Sequence, residues 1–152
     1  MTKKADIVSN RFSDIKEILG KKFVKGSIDN SFDFIHLANK KIAAQTIDNF
    51  RKRFNLSINE VAEMLNTSEA SIYRWIKVNK KLDRNIAVQL FELTHLFLYG
   101  TEVFENEANL FKWLNLPNTA LGELLPINLI SIPGGIEKVK TILGRIEYGV
   151  YS

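Results

Sequence analysis

From residue 34 onward the apolar side chains recur every three or four positions, and the interruptions fall on polar residues suited to turns. Phe34, Ala38 and Ile42 form one such series and Ile47, Phe50 and Phe54 a second, the spacing an amphipathic helix requires. The five-residue step from Ile42 to Ile47 leaves open whether this is one helix or two. Ser57 followed by Glu60 is a capping box, in which hydroxyl and carboxylate each satisfy a backbone N–H, so a short helix is predicted from Ile58 to Leu65. Its stripe is Val61, Met64 and Leu65, with Ala62 alongside. Asn66-Thr67-Ser68 is a turn whose asparagine tolerates the left-handed conformation. A second helix then begins at Ser68, burying Ile72, Trp75 and Ile76 and leaving Glu69, Ala70, Tyr73, Arg74 and Lys77 on the other side. After a break at residues 79 to 82, Ile86, Leu90, Leu93, Leu96 and Phe97 define a long apolar helix from Asn85 to Tyr99, ended by Gly100.

Beyond Gly100 the pattern predicts a helical stretch through Ala108, Phe111, Trp113 and Leu114, a Pro117-Asn118 turn, and an apolar segment from Leu121 to Ile132 broken by Pro126. The turn Pro133-Gly134-Gly135 precedes a last helix with Ile136, Val139, Ile142, Leu143 and Ile146 on one face. Ser131 is its expected cap, with Pro133 in the first turn, and Gly144 and Gly149 loosen its end. Residues 1 to 32 scatter Phe12, Phe23 and Phe32 without a long helical period. No strand-like alternation of useful length occurs, so the fold class is all-α. The expected organisation is an extension of unassigned role (1–32), a helix-turn-helix domain (33–99) and a small helical C-terminal domain (100–152).

At 152 residues the chain is one ordinary domain or two very small ones sharing a core, and 45% hydrophobic residues suffice to bury one. The absence of cysteine removes disulfides, thiolate metal sites and cysteine catalysis together. No apolar run approaches the roughly 20 residues a bilayer needs, and the basic start lacks a signal-peptide apolar stretch. A cytoplasmic protein without membrane association is expected. Net charge is +4, but its distribution is more informative: 12 Lys and Arg against 6 carboxylates in residues 1–53, 5 against 5 in 54–99, and 4 against 6 thereafter. Two stretches are locally basic, Lys40 to Arg53 and Tyr73 to Arg84; taken alone, either reads as a solvated helix face.

Ala62, Asn66 and Ile72 occupy the places of a helix-turn-helix: a small residue where the helices cross, a left-handed turn residue, and an apolar pin for the second helix. Such a second helix enters the major groove by its N-terminal end. That places Ser68, Glu69, Ala70 and Tyr73 near base edges and Arg74, Lys77, Lys80 and Lys81 near phosphates. The alternative is a plain αα-hairpin. Glu69 weighs towards it, since a carboxylate opposes phosphate unless it accepts from a cytosine amino group. Because residues 54–99 carry no net charge, a dimer reading two half-sites is the more workable arrangement.

Three runs carry a resemblance: Trp113-Leu114-Asn115-Leu116-Pro117-Asn118-Thr119-Ala120-Leu121-Gly122, then Pro126-Ile127-Asn128-Leu129-Ile130, then Gly144-Arg145-Ile146-Glu147-Tyr148-Gly149-Val150-Tyr151-Ser152. They resemble the toxin-binding domain of Xre/MbcA/ParS antitoxins, the antitoxin halves of RES-Xre pairs, over roughly residues 33 to 152. The resemblance implies an all-α antitoxin that dimerises, covers the active site of a RES-domain NAD-degrading toxin, and represses its own operon by binding operator DNA. It implies an inhibitor of an enzyme and not an enzyme. Arg145, Glu147, Tyr148, Gly149, Val150, Tyr151 and Ser152 correspond to the family's toxin-facing end; aromatics and arginine are common interface anchors, and such a segment can enter a pocket as a plug. Glu123 stands where the family more often has a second glycine, Asn128 where an acidic residue is frequent, and Ser131 where threonine is usual. Pro117-Asn118 and Ala120-Leu121-Gly122 read as a helix stop and a close-packed turn.

Nothing converges on catalysis. His36 and His95 lie far apart in apolar helical stretches, as packing residues, with no second ligand at metal-binding spacing, so neither a metal nor a cofactor is expected. Gly134-Gly135 lacks the strand and the further glycines of a dinucleotide fingerprint, and Glu60 with Glu63, or Glu105 with Glu107, lies on polar faces or loops. Two functions from different classes remain: an inhibitor of a toxin that also binds DNA, and a plain regulator whose C-terminal domain dimerises or senses a ligand. A third variant keeps the helix-turn-helix only as scaffold.

Overall fold

The computed structural model describes residues 4–149, with side chains from residue 11 onward. Among these residues the chain is all-α, with two isolated β-bridges, and it divides into two compact units between His95 and Leu96. No helix among them is long and apolar enough to cross a membrane.

The first unit begins with α1 (Lys4–Leu19), where the sequence pattern alone gave no long helical period. Phe12, Ile15 and Leu19 are buried at helical spacing, and the helix packs on α3 (Gln45–Arg53). The Asn49 amide on α3 donates to the Leu19 carbonyl at 2.8 Å, satisfying one of the orphan acceptors at the end of α1. The segment of residues 34–54 is two helices, α2 (Phe32–Asn39) and α3. Lys41, at φ 60°, breaks them apart, and Ile42 and Ala43 pair instead with residues 81 and 82: Leu82 N–H donates to the Ile42 carbonyl at 2.8 Å. Phe12 stacks on His95 (4.8 Å) and Phe34 on Phe91 (5.4 Å), joining α1, α2 and α6 (Arg84–Phe104) in one aromatic core. His95 is thus a packing residue, with Arg11 3.3 Å from its Nε2, whereas His36 is exposed and does not pack as expected.

Three consecutive helices stop in the same way. α3, α4 (Ile58–Met64) and α5 (Glu69–Lys77) each end in a paired 6→1 and 5→2 hydrogen-bond motif with asparagine in the left-handed position: Asn55, Asn66 and Asn79, at φ 54°, 58° and 53°. Asparagine tolerates this region because its short side chain can bond locally.

In the second unit α6 does not stop at Gly100 but runs on to Phe104. Gly100 instead serves close approach: a Cβ there would lie 2.4 Å from Leu110 Cδ1. Leu110 and Leu114 are the buried residues of α7 (Glu107–Leu114), capped by Asn106, whose side chain accepts from Asn109 N–H at 2.8 Å. A 3-10 turn at Thr119–Leu121 leads to α8 (Pro126–Leu129), with Pro126 at its first position, and then α9 (Gly135–Glu147). Ser131 does not cap α9 as expected. The cap position is Gly134, at φ 77°, which leaves Ser131 and Pro133 outside the helix. Gly135 lies hard against α8, where a Cβ would come 1.6 Å from the Leu129 carbonyl oxygen. Ile136, Val139, Ile142 and Leu143 are buried on the predicted face, with Ile146 half-buried.

Candidate functional site

The helix-turn-helix region is built from local signals. Ser57 Oγ accepts from Glu60 N–H (3.0 Å) while the Glu60 carboxylate accepts from Ser57 N–H (2.7 Å), closing the capping box. Thr67 N–H then donates to the Ala62 carbonyl and Asn66 N–H to that of Glu63, turning the chain sharply after α4. Ser68 caps α5 by accepting from Ser71 N–H at 3.1 Å, a bond worth about 1 kcal/mol. Ile72 is completely buried and pins α5 to α4, contributing roughly 2 kcal/mol by removal of its side chain from water. Ala62 is buried as expected, and Trp75 and Ile76 are half-buried.

The opposite side of α5 is open. Ser68, Glu69, Ala70, Tyr73, Arg74 and Lys77 are all exposed, as is Lys81 beyond the helix end. Two of these expected contact residues also have structural duties. Ser68 spends its hydroxyl on the cap, and Glu69 sits in the first turn, where the positive end of the helix dipole favours a carboxylate independently of any cytosine. Lys80 is half-buried, its ammonium 5.1 Å from the Trp75 ring centroid and 3.9 Å from Asp83, which draws it back onto its own unit.

In the second unit the turn at residues 117–125 closes on Asn118. Its side chain accepts from Ala120 N–H (2.9 Å), its N–H donates to the Leu124 carbonyl (3.0 Å), and its carbonyl accepts from Glu123 N–H (2.9 Å). Gly122 and Glu123 follow one another in left-handed conformation, at φ 66° and 71°. This turn is not close-packed as expected: a Cβ on Gly122 would meet nothing within 4 Å, so its glycine serves the dihedral alone. Leu116 and Leu124, at the two ends of the turn, and Ile132 after α8 are exposed apolar residues that sequence periodicity did not single out; Pro117 and Pro133 beside two of them are the only available signal.

Of the expected toxin-facing residues, Arg145, Glu147, Tyr148 and Gly149 are exposed at the end of α9, Tyr148 by 64%. Tyr148 is the C-cap and Gly149 follows at φ 70°, its N–H donating to the Ile146 carbonyl. Val150, Tyr151 and Ser152 lie outside the described residues. One further residue belongs with this group. The Tyr99 hydroxyl on α6 lies beside Gly144, at a distance that a Cβ there would also allow, and donates to the Glu147 carboxylate. Glu147 is thereby held within its own unit, and nothing in sequence spacing links positions 99 and 147. Among the described residues no group of three or more histidines or carboxylates is arranged to hold a metal ion.

Residues 100–149 match the family model of the antitoxin Xre/MbcA/ParS C-terminal toxin-binding domain. A solved chain of the Mycobacterium tuberculosis MbcT-MbcA toxin-antitoxin complex superposes with a TM-score of 0.54 at 22% identity, covering 72% of this chain and 96% of that one. At that identity the likeness is one of fold. No curated protein matches the chain.

Proposed function

We propose, from the premise that residues 100–149 match an antitoxin toxin-binding domain, that this chain neutralises a partner toxin by binding it and represses transcription of its own operon. The toxin is a RES-domain enzyme that degrades NAD, and inhibition is by occlusion of its active site. The observation that carries the reading is the coincidence of the matched domain with an exposed cluster at its end, Arg145, Tyr148 and Gly149 at the close of α9. Tyrosine brings large contact area at low entropic cost, and arginine brings charge-assisted hydrogen bonds. Val150, Tyr151 and Ser152 extend the same segment into the toxin pocket. This chain acts by binding and performs no chemistry of its own.

The operator arm rests on the outward side of α5, with Tyr73, Ala70 and Glu69 reading base edges and Arg74 and Lys77 on flanking phosphates, in a homodimer that spans two half-sites. The test is coexpression with a RES-domain toxin, scoring growth and cellular NAD. The full chain restores both and a chain lacking residues 148–152 restores neither; neutralisation by the shortened chain refutes the plug. Replacing Arg74 and Lys77 by alanine weakens operator binding and leaves neutralisation intact. A full chain that binds operator yet never neutralises is a plain regulator.

A further inference from the structure

The two basic stretches of the sequence, residues 40–53 and 73–84, meet in the fold. The antiparallel bridge between Ala43 and Lys81, with Ala44 N–H donating to the Lys80 carbonyl at 2.9 Å, sets Lys81 beside Lys40 and Lys41. The turn after α1 brings Lys22 and Lys25 to the same place. These five lysines line one concave pocket of about 260 Å³ together with Phe23, Leu37, Ile42 and Ala43, and no carboxylate is among its lining residues. None of the five is within salt-bridge distance of a carboxylate among the described residues.

Their backbones are anchored rather than trailing. Val24 is completely buried between Lys22 and Lys25, and Ile42, Ala43 and Leu82 are buried beside Lys41 and Lys81. At Gly26, φ 144°, a Cβ would press within 2.9 Å of Leu37 and 3.7 Å from Lys40 Nζ, so the turn and the end of α2 are in contact. Gathering five like charges in one concavity is unfavourable by itself and becomes favourable when an anion neutralises them. The charged groups of the lining are all lysines, and an ammonium is a point-charge donor suited to phosphate oxygens. Lys81 lies four residues beyond Lys77, just past the C-terminal end of the candidate recognition helix, so the pocket and α5 adjoin in the chain.

We propose that the pocket of Lys22, Lys25, Lys40, Lys41 and Lys81 binds consecutive phosphates of a DNA backbone, extending the duplex contact beyond the helix-turn-helix to the segment after α1. The inference rests on the operator-binding reading above. Because phosphate contacts carry no sequence information, a mixed-sequence duplex serves as probe. Duplex affinity of the full chain is measured by fluorescence anisotropy across a salt series for wild type, for K22Q/K25Q/K40Q/K41Q, for the same four positions changed to arginine, and for R74A/K77A, with circular dichroism reporting the fold of each.

The glutamine variant, with four lysines neutralised, is expected to lose at least tenfold in affinity and to lower the magnitude of the slope of log K against log salt by up to about 4, with the arginine variant near wild type. Wild-type binding that R74A/K77A weakens but the glutamine variant leaves unchanged in affinity and slope overturns the pocket and spares the operator reading. No mixed-sequence duplex binding by wild type, even at the lowest salt, overturns the pocket and leaves the sequence-specific operator reading to its own test. Inorganic tripolyphosphate is titrated in parallel: binding that the glutamine variant abolishes while duplex affinity stays unchanged makes a free oligophosphate the ligand and overturns the backbone assignment.

Discussion

Gly134 and Gly135 are neighbours that need to be glycine for different reasons, and exchanging each for alanine separates the two. Gly134 has φ 77° with nothing within 4 Å of where a Cβ would be. Alanine there bears the left-handed penalty of about 1–2 kcal/mol, offset in part by about 0.4–1 kcal/mol from the stiffer unfolded chain, so the net loss is about 1 kcal/mol. Gly135 has no left-handed dihedral, and alanine at a helix start would ordinarily help. Its Cβ, however, would lie 1.6 Å from the Leu129 carbonyl oxygen and 2.6 Å from the carbonyl carbon. Both obstacles are backbone, so no rotamer relieves the overlap; the start of α9 must move away from α8 by more than an ångström. That separation opens the packing of Leu129 and Ile136, both buried, and costs about 3 kcal/mol on the scale of overpacked cores and lost burial. For a chain of this length it lowers Tm by about 6–12 °C, against about 2–4 °C for G134A. Calorimetry and urea unfolding of both variants make the comparison. A G135A midpoint at or above that of G134A refutes the close-approach argument.

Glu123 occupies a left-handed position at φ 71° directly after Gly122, and its side chain is exposed. Glu123→Gly is therefore expected to stabilise the second unit by about 0.5–1 kcal/mol, visible as a rise in urea midpoint; a fall would show that the carboxylate makes a contact that offsets the strain. Asp48 is partly buried, which pushes its carboxyl up, but hydrogen bonds from Lys52 and Arg51 (both 2.9 Å) and their charges outweigh this and hold it below its ordinary 3.8. A depressed carboxyl stabilises the fold above its unfolded pKa, and the contribution is lost as pH falls through the folded value. Asp48→Asn is thus expected to be less stable than wild type at neutral pH, with the difference narrowing below about pH 4 in urea titrations. A constant difference across that range would refute the linkage.

What was legible in the chain was local. The capping box at Ser57 and Glu60, the left-handed Asn66, the N-cap at Ser68 and the outward side of α5 each follow from interactions that reach no more than six residues. Amphipathic spacing likewise located α9 and the extent of α7, but not the buried face of α7, where Leu110 and Leu114 are covered while Ala108 is exposed; the motif around Trp113 and Gly144 carries the family resemblance by itself. The rest was decided by contacts between residues remote in sequence. Phe12, Ile15 and Leu19 form a stripe too short to declare α1 until α3 offers a surface to bury it. A glycine at position 100 reads as a stop, yet it lies within α6 because Leu110 needs its missing side chain. Ser131 has the chemistry of a cap, but the tight approach of Gly135 to Leu129 fixes where α9 starts and leaves Ser131 outside it. The Tyr99 bond to Glu147 and the meeting of five lysines from three stretches belong to tertiary structure alone, since local sequence specifies the backbone's turns while long-range packing specifies which side chains share a surface.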